Sequence, residues 1–224
     1  MTVDHHSITG DILLGCEDGI EIYSRDSGEV RHVTDYVEAQ VVEYKGEVFI
    51  SHCHHKTVIK VIKYDTVKKT SEFLFSFPMK STLESFFSVS DHFIASIDKD
   101  NQTIKLYDRQ AGNRAGSNTL TTLTFPEYVR PTIKNIRLLT DDTLLVIRWD
   151  TASKLNKYRF NRDRLHLIWS CRDFPDVPDD IAVDDRGRIY VSDCNTKSIY
   201  VLSDEGEIVL TFILIHKRSG GVLR

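Results

Sequence analysis

The sequence predicts an all-β protein, a β-propeller of about five four-stranded blades. Short runs rich in β-branched and aromatic residues occur throughout the chain, and Gly, Asp, Asn and Pro separate them at intervals of roughly 8–12 residues, a pattern typical of sandwiches, barrels and propellers. Helical periodicity is hard to find anywhere. The strand pattern also repeats about every 40–45 residues, and this repeat length favours a propeller.

The clearest unit is the segment 178–212, PDDIAVDDRGRIYVSDCNTKSIYVLSDEGEIVLTF. Turn residues at 185–187 and 204–206 divide it, because Asp and Gly favour tight turns. The four predicted strands are Asp180–Val183, Arg188–Ser192, Ser198–Leu202 and Ile208–Phe212. Four short antiparallel strands joined by tight turns form one propeller blade.

Comparable units recur along the rest of the chain. The first apolar residue of each third strand marks the repeat: Ile20, Ile59, Ile104, Leu155 and Ile199. Their successive spacings are 39, 45, 51 and 44 residues by subtraction, which fits one blade per repeat. We therefore expect a propeller over residues 1–215. Its predicted blades are 1–35, 36–80, 81–127, 128–175 and 176–215, and residues 216–224 form a tail or begin a further blade.

The segment 178–212 resembles an NHL repeat, with the pattern P-x-x-I-A-V-D-x-x-G-x-I-Y-V-x-D. The other four units share its strand pattern but few of its motif residues. Such divergent arrays resemble the C-terminal propellers of tripartite-motif proteins. The resemblance implies an interaction module, and ligase activity is not carried over because no RING, B-box or coiled coil is found in these residues. NHL propellers usually have six blades, so both a closed five-bladed ring and an open piece of a six-bladed ring remain expectations.

Composition limits the function classes. The net charge of −4 argues against a surface built wholly to hold nucleic acid, and DNA is not expected as a partner. No apolar run is long enough to span a bilayer, and the first residues lack the features of a secretory signal. The four cysteines are widely spaced and form no CxxC pair, which indicates reduced thiols and a cytoplasmic protein.

Few residues suggest metal binding or catalysis. His52 and His54 would face the same way in a strand, as zinc ligands can, but no second ligand pair is visible at suitable spacing. Three acidic pairs could suggest calcium binding or catalysis, but two of them lie at or beside hairpin turns, where Asp bonds the local backbone, and the turn explanation is favoured. These pairs are Asp141 with Asp142, Asp179 with Asp180, and Asp184 with Asp185. The sequence therefore assigns no catalytic residue, no metal and no cofactor.

The competing hypothesis is a hydrolase or lactonase with a divalent metal in the central channel of the propeller. The predicted inner strands are Asp4–Ile8, Val37–Tyr44, Ser85–Val89, Ile136–Thr140 and Asp180–Asp184. Oxygen ligands would have to converge from them. The candidates are Glu38, Glu43, Asn135 and Asp184.

A partner-binding surface is predicted on one face of the propeller. Because strands alternate in direction, the loops between second and third strands lie on the same face as the connections between blades. The candidate residues on this face are Lys56, Lys99, Asn101, Arg130, Lys134, Arg148, Trp149, Lys154 and Lys197. Basic residues are densest in the fourth unit, and an exposed Trp can anchor a peptide or stack on a base. We expect a protein partner, with single-stranded RNA as the alternative.

Overall fold

Five four-stranded antiparallel sheets make up the protein, as seen in a computed structural model, and the predicted fold class is confirmed. The structure describes residues 2–5, 11–16, 19–34, 40–54, 58–65, 68, 70–78, 87–98, 101–109, 119–125, 132–149, 155–176, 178–184, 186–193 and 195–213. Every regular element in these ranges is a strand. A search of the same ranges for a helix able to cross a membrane finds none.

The first three sheets follow one another along the chain. Sheet one contains Thr2–His5 (β1), Ile12–Cys16 (β2), Gly19–Tyr23 (β3) and Val30–Thr34 (β4). Sheet two contains Gln40–Tyr44 (β5), Glu47–His54 (β6), Val58–Asp65 (β7) and Thr70–Pro78 (β8). Sheet three contains Phe87–Val89 (β9), Phe93–Asp98 (β10), Thr103–Asp108 (β11) and Thr119–Leu123 (β12).

The last two sheets continue the series. Sheet four contains Ile133–Leu138 (β13), Thr143–Arg148 (β14), Leu155–Asn161 (β15) and Arg164–Cys171 (β16). Sheet five contains Asp180–Val183 (β17), Ile189–Asp193 (β18), Ser198–Leu202 (β19) and Ile208–Ile213 (β20). In every sheet the strands pair in chain order, so the sheet begins at its first strand and ends at its fourth. The five residues used above to measure the repeat all lie in third strands, as predicted.

The first strand of each sheet lies at the propeller axis. Neighbouring inner strands contact one another in series, from β1 to β5, β5 to β9, β9 to β13 and β13 to β17. The prediction for the inner strand of sheet four was wrong by about three residues, because β13 begins at Ile133 and ends at Leu138. The chain turns at Thr140, where the hydroxyl donates to Asp142 Oδ1 at 2.7 Å.

The hydrophobic core is divided among the spaces between successive sheets. One cluster of buried side chains joins each pair of neighbours from sheets one and two to sheets four and five, giving four clusters within the described residues. Between sheets four and five, Leu145 and Ile147 share a cluster with Ile189 and Val191, and all four are 0% exposed. Alternation along β14 and β18 places these side chains on facing surfaces.

Sheet five has a second face, which points away from sheet four. Within the described residues no fifth cluster joins it to sheet one. Its outer part carries Ile199 and Val201 of β19, paired with Phe212 and Leu210 of β20. Leu210 is 50% exposed and Phe212 is 48% exposed. Val201 is only 4% exposed, so the open apolar side chains on this face are those of the outer strand β20.

Polar side chains on the turns also connect neighbouring sheets. Lys45 Nζ of sheet two lies 2.7 Å from Asp91 Oδ1 of sheet three. Arg109 of sheet three forms an ion pair with Glu47, and its guanidinium carbon lies 4.9 Å from the centroid of the Phe49 ring. Salt bridges as exposed as that of Lys45 contribute little, whereas the partly buried Arg109 packs its charge over an aromatic face.

A histidine–aspartate pair connects sheets three and four. His92 Nδ1 lies 2.5 Å from Asp141 Oδ2, and Ser90 Oγ donates to Asp141 Oδ1 at 2.8 Å. The hydrogen bond to Asp141, followed by charge attraction, raises the pKa of His92 above its ordinary value. Burial alone would raise the pKa of Asp141, but hydrogen bonds from His92 and Ser90 outweigh it and lower that pKa.

The first prediction concerns the pH dependence of this pair. Because the pKa of His92 is raised on folding, its stabilising effect is fully present below the unfolded value of about 6.5 and is lost as pH rises through the folded value. Thermal melts of the parent and of His92→Gln should therefore differ more at pH 5.5 than at pH 8.5. This difference in melting temperature should vanish when His92→Gln is made in a chain that already carries Asp141→Asn. Equal differences in melting temperature at both pH values would contradict the assignment of the raised His92 pKa to its contact with Asp141.

Candidate functional site

The candidate site lies where sheets three, four and five present their loops on one side of the propeller. We call this surface the Trp149 face and define it by Asn101 and Gln102 between β10 and β11, by Thr132 and Lys134, by Trp149, and by residues 195–197 between β18 and β19. The backbone N–H of Trp149 donates to Thr132 O at 2.8 Å, which fixes the end of β14 against the start of β13. The face is thus built on strand ends.

Trp149 is the most exposed large aromatic side chain in the described residues, at 57%. Lys134 Nζ lies 5.1 Å from the centroid of the indole, within reach of a cation–π contact. The same Nζ donates to Asp179 Oδ1 at 2.5 Å. Asp179 belongs to the connection between sheets four and five, so a residue from the next blade holds the lysine beside the indole. The aromatic surface is therefore positioned before any partner arrives.

Asn101 and Gln102 of sheet three also belong to the Trp149 face. Asn101 is exposed, and both its backbone N–H and its side-chain amide donate to the carboxylate of Asp98, at 3.2 and 3.0 Å. Burial would raise the pKa of Asp98, but bonds from Lys105 and Asn101 outweigh it and lower that pKa. The side chain of Gln102 accepts from the Ile133 N–H at 2.7 Å. The turn is thus attached directly to the strand that carries Lys134.

Lys197 lies in the equivalent turn of sheet five. It is exposed and adopts a left-handed backbone with φ of 51°. The turn is held by Asp193, whose Oδ1 accepts from the N–H groups of Asn195 and Thr196, both at 3.0 Å. Asn195 Nδ2 in turn donates to Asp176 Oδ2 at 2.7 Å. Lys197 therefore projects from a well-anchored turn on the Trp149 face.

Arg148 takes a position that the sequence did not predict. It is only 8% exposed, and its Nη1 donates to the hydroxyl of Tyr158 at 3.2 Å. Burial raises the pKa of Tyr158, outweighing the opposite effect of Arg148. Alternation along β14 explains the outcome, because Arg148 faces the space between sheets whereas Trp149 follows the strand and reaches solvent. A partner could therefore not contact Arg148 without local rearrangement.

Four of the nine predicted residues cannot be placed. Lys56, Lys99, Arg130 and Lys154 lie outside the described residues. The structure brings Lys134 and Trp149 into contact and places Asn101 and Lys197 on the same face. Sequence reasoning considered Asp179 only as a member of an acidic pair and missed Gln102, although these two residues hold Lys134 and its strand in place. A signal existed for Asp179, since an acidic residue in a connection beside a basic strand is a natural partner.

The candidate metal ligands of the central channel are used in other ways. Glu43 is 8% exposed and accepts from the Gly46 N–H at 2.5 Å, which closes a turn. Asp184 accepts from the N–H groups of Arg186 and Arg188, at 3.0 and 2.9 Å. Asn135 donates to Asp180 Oδ1 at 2.7 Å. Glu38 lies outside the described residues. Across the part of the chain that the structure describes, no three His, Cys, Asp or Glu residues are close enough to hold a metal.

A cavity of about 430 Å³ lies at the axis. Inner strands β5, β9, β13 and β17 line it, together with the second face of sheet five. Its polar contributors include Gln40, Asn135, Arg137, Asp180 and Tyr190. Its volume falls within the range of small-molecule sites. The sequence showed inner-strand polar residues but could not show that they border an open space.

Comparisons with known proteins support the fold. No family model matches the sequence, and no curated protein matches it. Among solved structures, a chain of the mitotic checkpoint complex matches with a TM-score of 0.60 and 14% identity, covering 94% of this chain and 64% of its own length. Inactive H270A virginiamycin B lyase from Staphylococcus aureus, with quinupristin, matches with a TM-score of 0.62 and 13% identity, covering 95% and 69%.

A putative 6-phosphogluconolactonase from Bacteroides fragilis is similar too, with a TM-score of 0.61 and 12% identity, covering 96% of this chain and 67% of its own. At such identities the likeness shows the β-propeller fold alone. This chain spans 64% of the length of the checkpoint-complex chain that it matches. The NHL resemblance of the last blade stays a prediction.

Proposed function

We propose that this protein is a non-catalytic interaction module that binds a protein partner through the Trp149 face. The observation that carries the proposal is the exposed indole of Trp149, held beside Lys134 by Asp179. Exposed aromatic side chains on rigid supports lose little conformational entropy on binding and frequently dominate the affinity of protein interfaces. The resemblance to NHL propellers supports a binding role of this kind, and the scattered cysteines support a cytoplasmic one.

A protein partner fits the described charges better than RNA does. Lys134 is already paired with Asp179, and Arg148 is buried against Tyr158. Lys197 is left as the exposed cation among the predicted residues that the structure describes. Tight binding of single-stranded RNA usually needs a basic groove that follows the backbone. A propeller within the mitotic checkpoint complex offers a parallel for binding to proteins.

The second prediction tests Trp149. We expect Trp149→Ala to weaken partner binding at least about thirtyfold, the loss typical of an aromatic residue at the centre of an interface. Stability should change by less than about 1 kcal/mol, because the side chain is largely in water. The measurement is recovery of cellular proteins on the immobilised chain, quantified by mass spectrometry and followed by titration of each recovered protein.

Leu167→Ala is the matched control, because Leu167 is 54% exposed on the outer strand β16 and away from the Trp149 face. A partner bound by the parent and by Leu167→Ala but lost by Trp149→Ala supports the proposal. Equal binding by all three chains overturns it. Labelled random single-stranded RNA provides a second arm. If the chain binds this RNA saturably, if salt weakens the binding and if Lys197→Glu abolishes it, the partner is RNA and not a protein.

A further inference from the structure

The last strand of the propeller has an unusually exposed apolar surface. In β20, Val209 is 60% exposed, Leu210 50%, Phe212 48% and Ile213 70%. These side chains lie on both faces of the strand, since Leu210 pairs with Val201 on one face and Ile213 with Ser198 on the other. Among the described strands β20 is also at the edge of its sheet, because β19 is its partner on one side and the sheet order ends with β20.

The sequence of β20 lacks the residues that protect other outer strands. Charged side chains and Pro on an edge strand prevent it from pairing with another chain. Three of the other outer strands carry such residues, namely Arg31 and His32 in β4, Glu72 and Pro78 in β8, and Arg164 and His166 in β16. The remaining one, β12, is mostly Thr. By contrast β20 reads IVLTFI, with no charge, no Pro and strong β-propensity.

We propose that β20 is a self-association edge, on which a second copy of this chain adds its own β20 in antiparallel register. The strand is uncharged along its whole length, so two copies meet with no like-charge repulsion. Antiparallel pairing about a twofold axis satisfies the open backbone edge of both copies and leaves neither free for a third. The apolar side chains of β20 then lose water on both faces. This interface is separate from the Trp149 face.

The third prediction follows from this arrangement. Sedimentation velocity over a concentration series should show the parent in monomer–dimer equilibrium. Val209→Lys should weaken the dimer by about tenfold or more, because a lysine on an otherwise uncharged edge strand opposes pairing with another strand. The monomer should keep the melting temperature of the parent, since Val209 is exposed. Ile213→Lys is the second variant, for use if Val209→Lys does not fold.

Val30→Lys is the matched control. Val30 is 59% exposed on β4, the corresponding outer strand of sheet one. The proposal requires a parent dimer that Val30→Lys leaves intact and that a lysine in β20 dissociates. A parent chain that is monomeric across the whole series overturns it. A dimer that Val209→Lys and Val30→Lys weaken equally also overturns it. So does a dimer that only Val30→Lys weakens.

Discussion

Replacing Phe49 by alanine is expected to lower the free energy of unfolding by about 3–5 kcal/mol, the usual cost of removing a buried Phe side chain. Phe49 is 1% exposed and belongs to the cluster between sheets two and three. The substitution would leave a cavity against Val42 and Val61 and would remove the ring beneath the guanidinium of Arg109. The effect is large because both the core and the packing of a charged side chain depend on this ring.

Phe73→Ala is the control, because Phe73 belongs to the same sheet but is 43% exposed. Its replacement should cost less than about 1 kcal/mol. Urea unfolding followed by circular dichroism measures both variants. Similar losses for the two substitutions would mean that the cluster between sheets two and three does not hold them together as described.

Gly206→Ala is the second substitution with a large expected effect, a loss of about 2–5 kcal/mol. Gly206 has φ of 86°, and a non-glycine residue in this region costs about 1–2 kcal/mol. A Cβ at this position would also lie 2.7 Å from Cδ2 and Cε3 of the Trp169 indole. The indole cannot easily retreat, because its Nε1 donates to Asp204 O at 2.8 Å. Overpacking of this kind adds about 1–3 kcal/mol.

Gly187→Ala separates the two contributions. Gly187 ends an equivalent turn with φ of 77°, but a Cβ there would meet nothing within 4 Å. It should therefore show the backbone cost alone, about 1–2 kcal/mol. Urea unfolding gives both free energies, and the fluorescence of Trp169 should shift in Gly206→Ala only. Equal losses without a fluorescence change would show that the indole does not lie against the turn.

The fold could be predicted because its signals are local. In the last sheet, the strands Asp180–Val183 and Ser198–Leu202 were predicted with the observed bounds. Turn residues such as Gly187 and Gly206, which need positive φ, mark the hairpins in the sequence itself. The inner strand β13 was misplaced although Pro131, two residues before its start, is a breaker residue in the sequence.

The site was harder to predict because its contacts are not local. Lys134 and Asp179 are 45 residues apart, and only the packing of sheet five on sheet four brings them together. Alternation indicates that Arg148 and Trp149 point in different directions, but it does not say which of them faces a neighbouring sheet. The acidic pair at 141–142 was explained by a turn, and Asp142 follows that explanation. Asp141 instead connects two sheets through His92.

The four clusters between successive sheets have a consequence for how the chain folds. Within the described residues the four clusters link the sheets in chain order, as the repeats of a linear array are linked. Sheets one and five have one such interface each, whereas the three between them have two. Transient opening should therefore begin at the two ends of the array and spread inward. Amide protons of sheet three should then be the slowest to exchange with solvent.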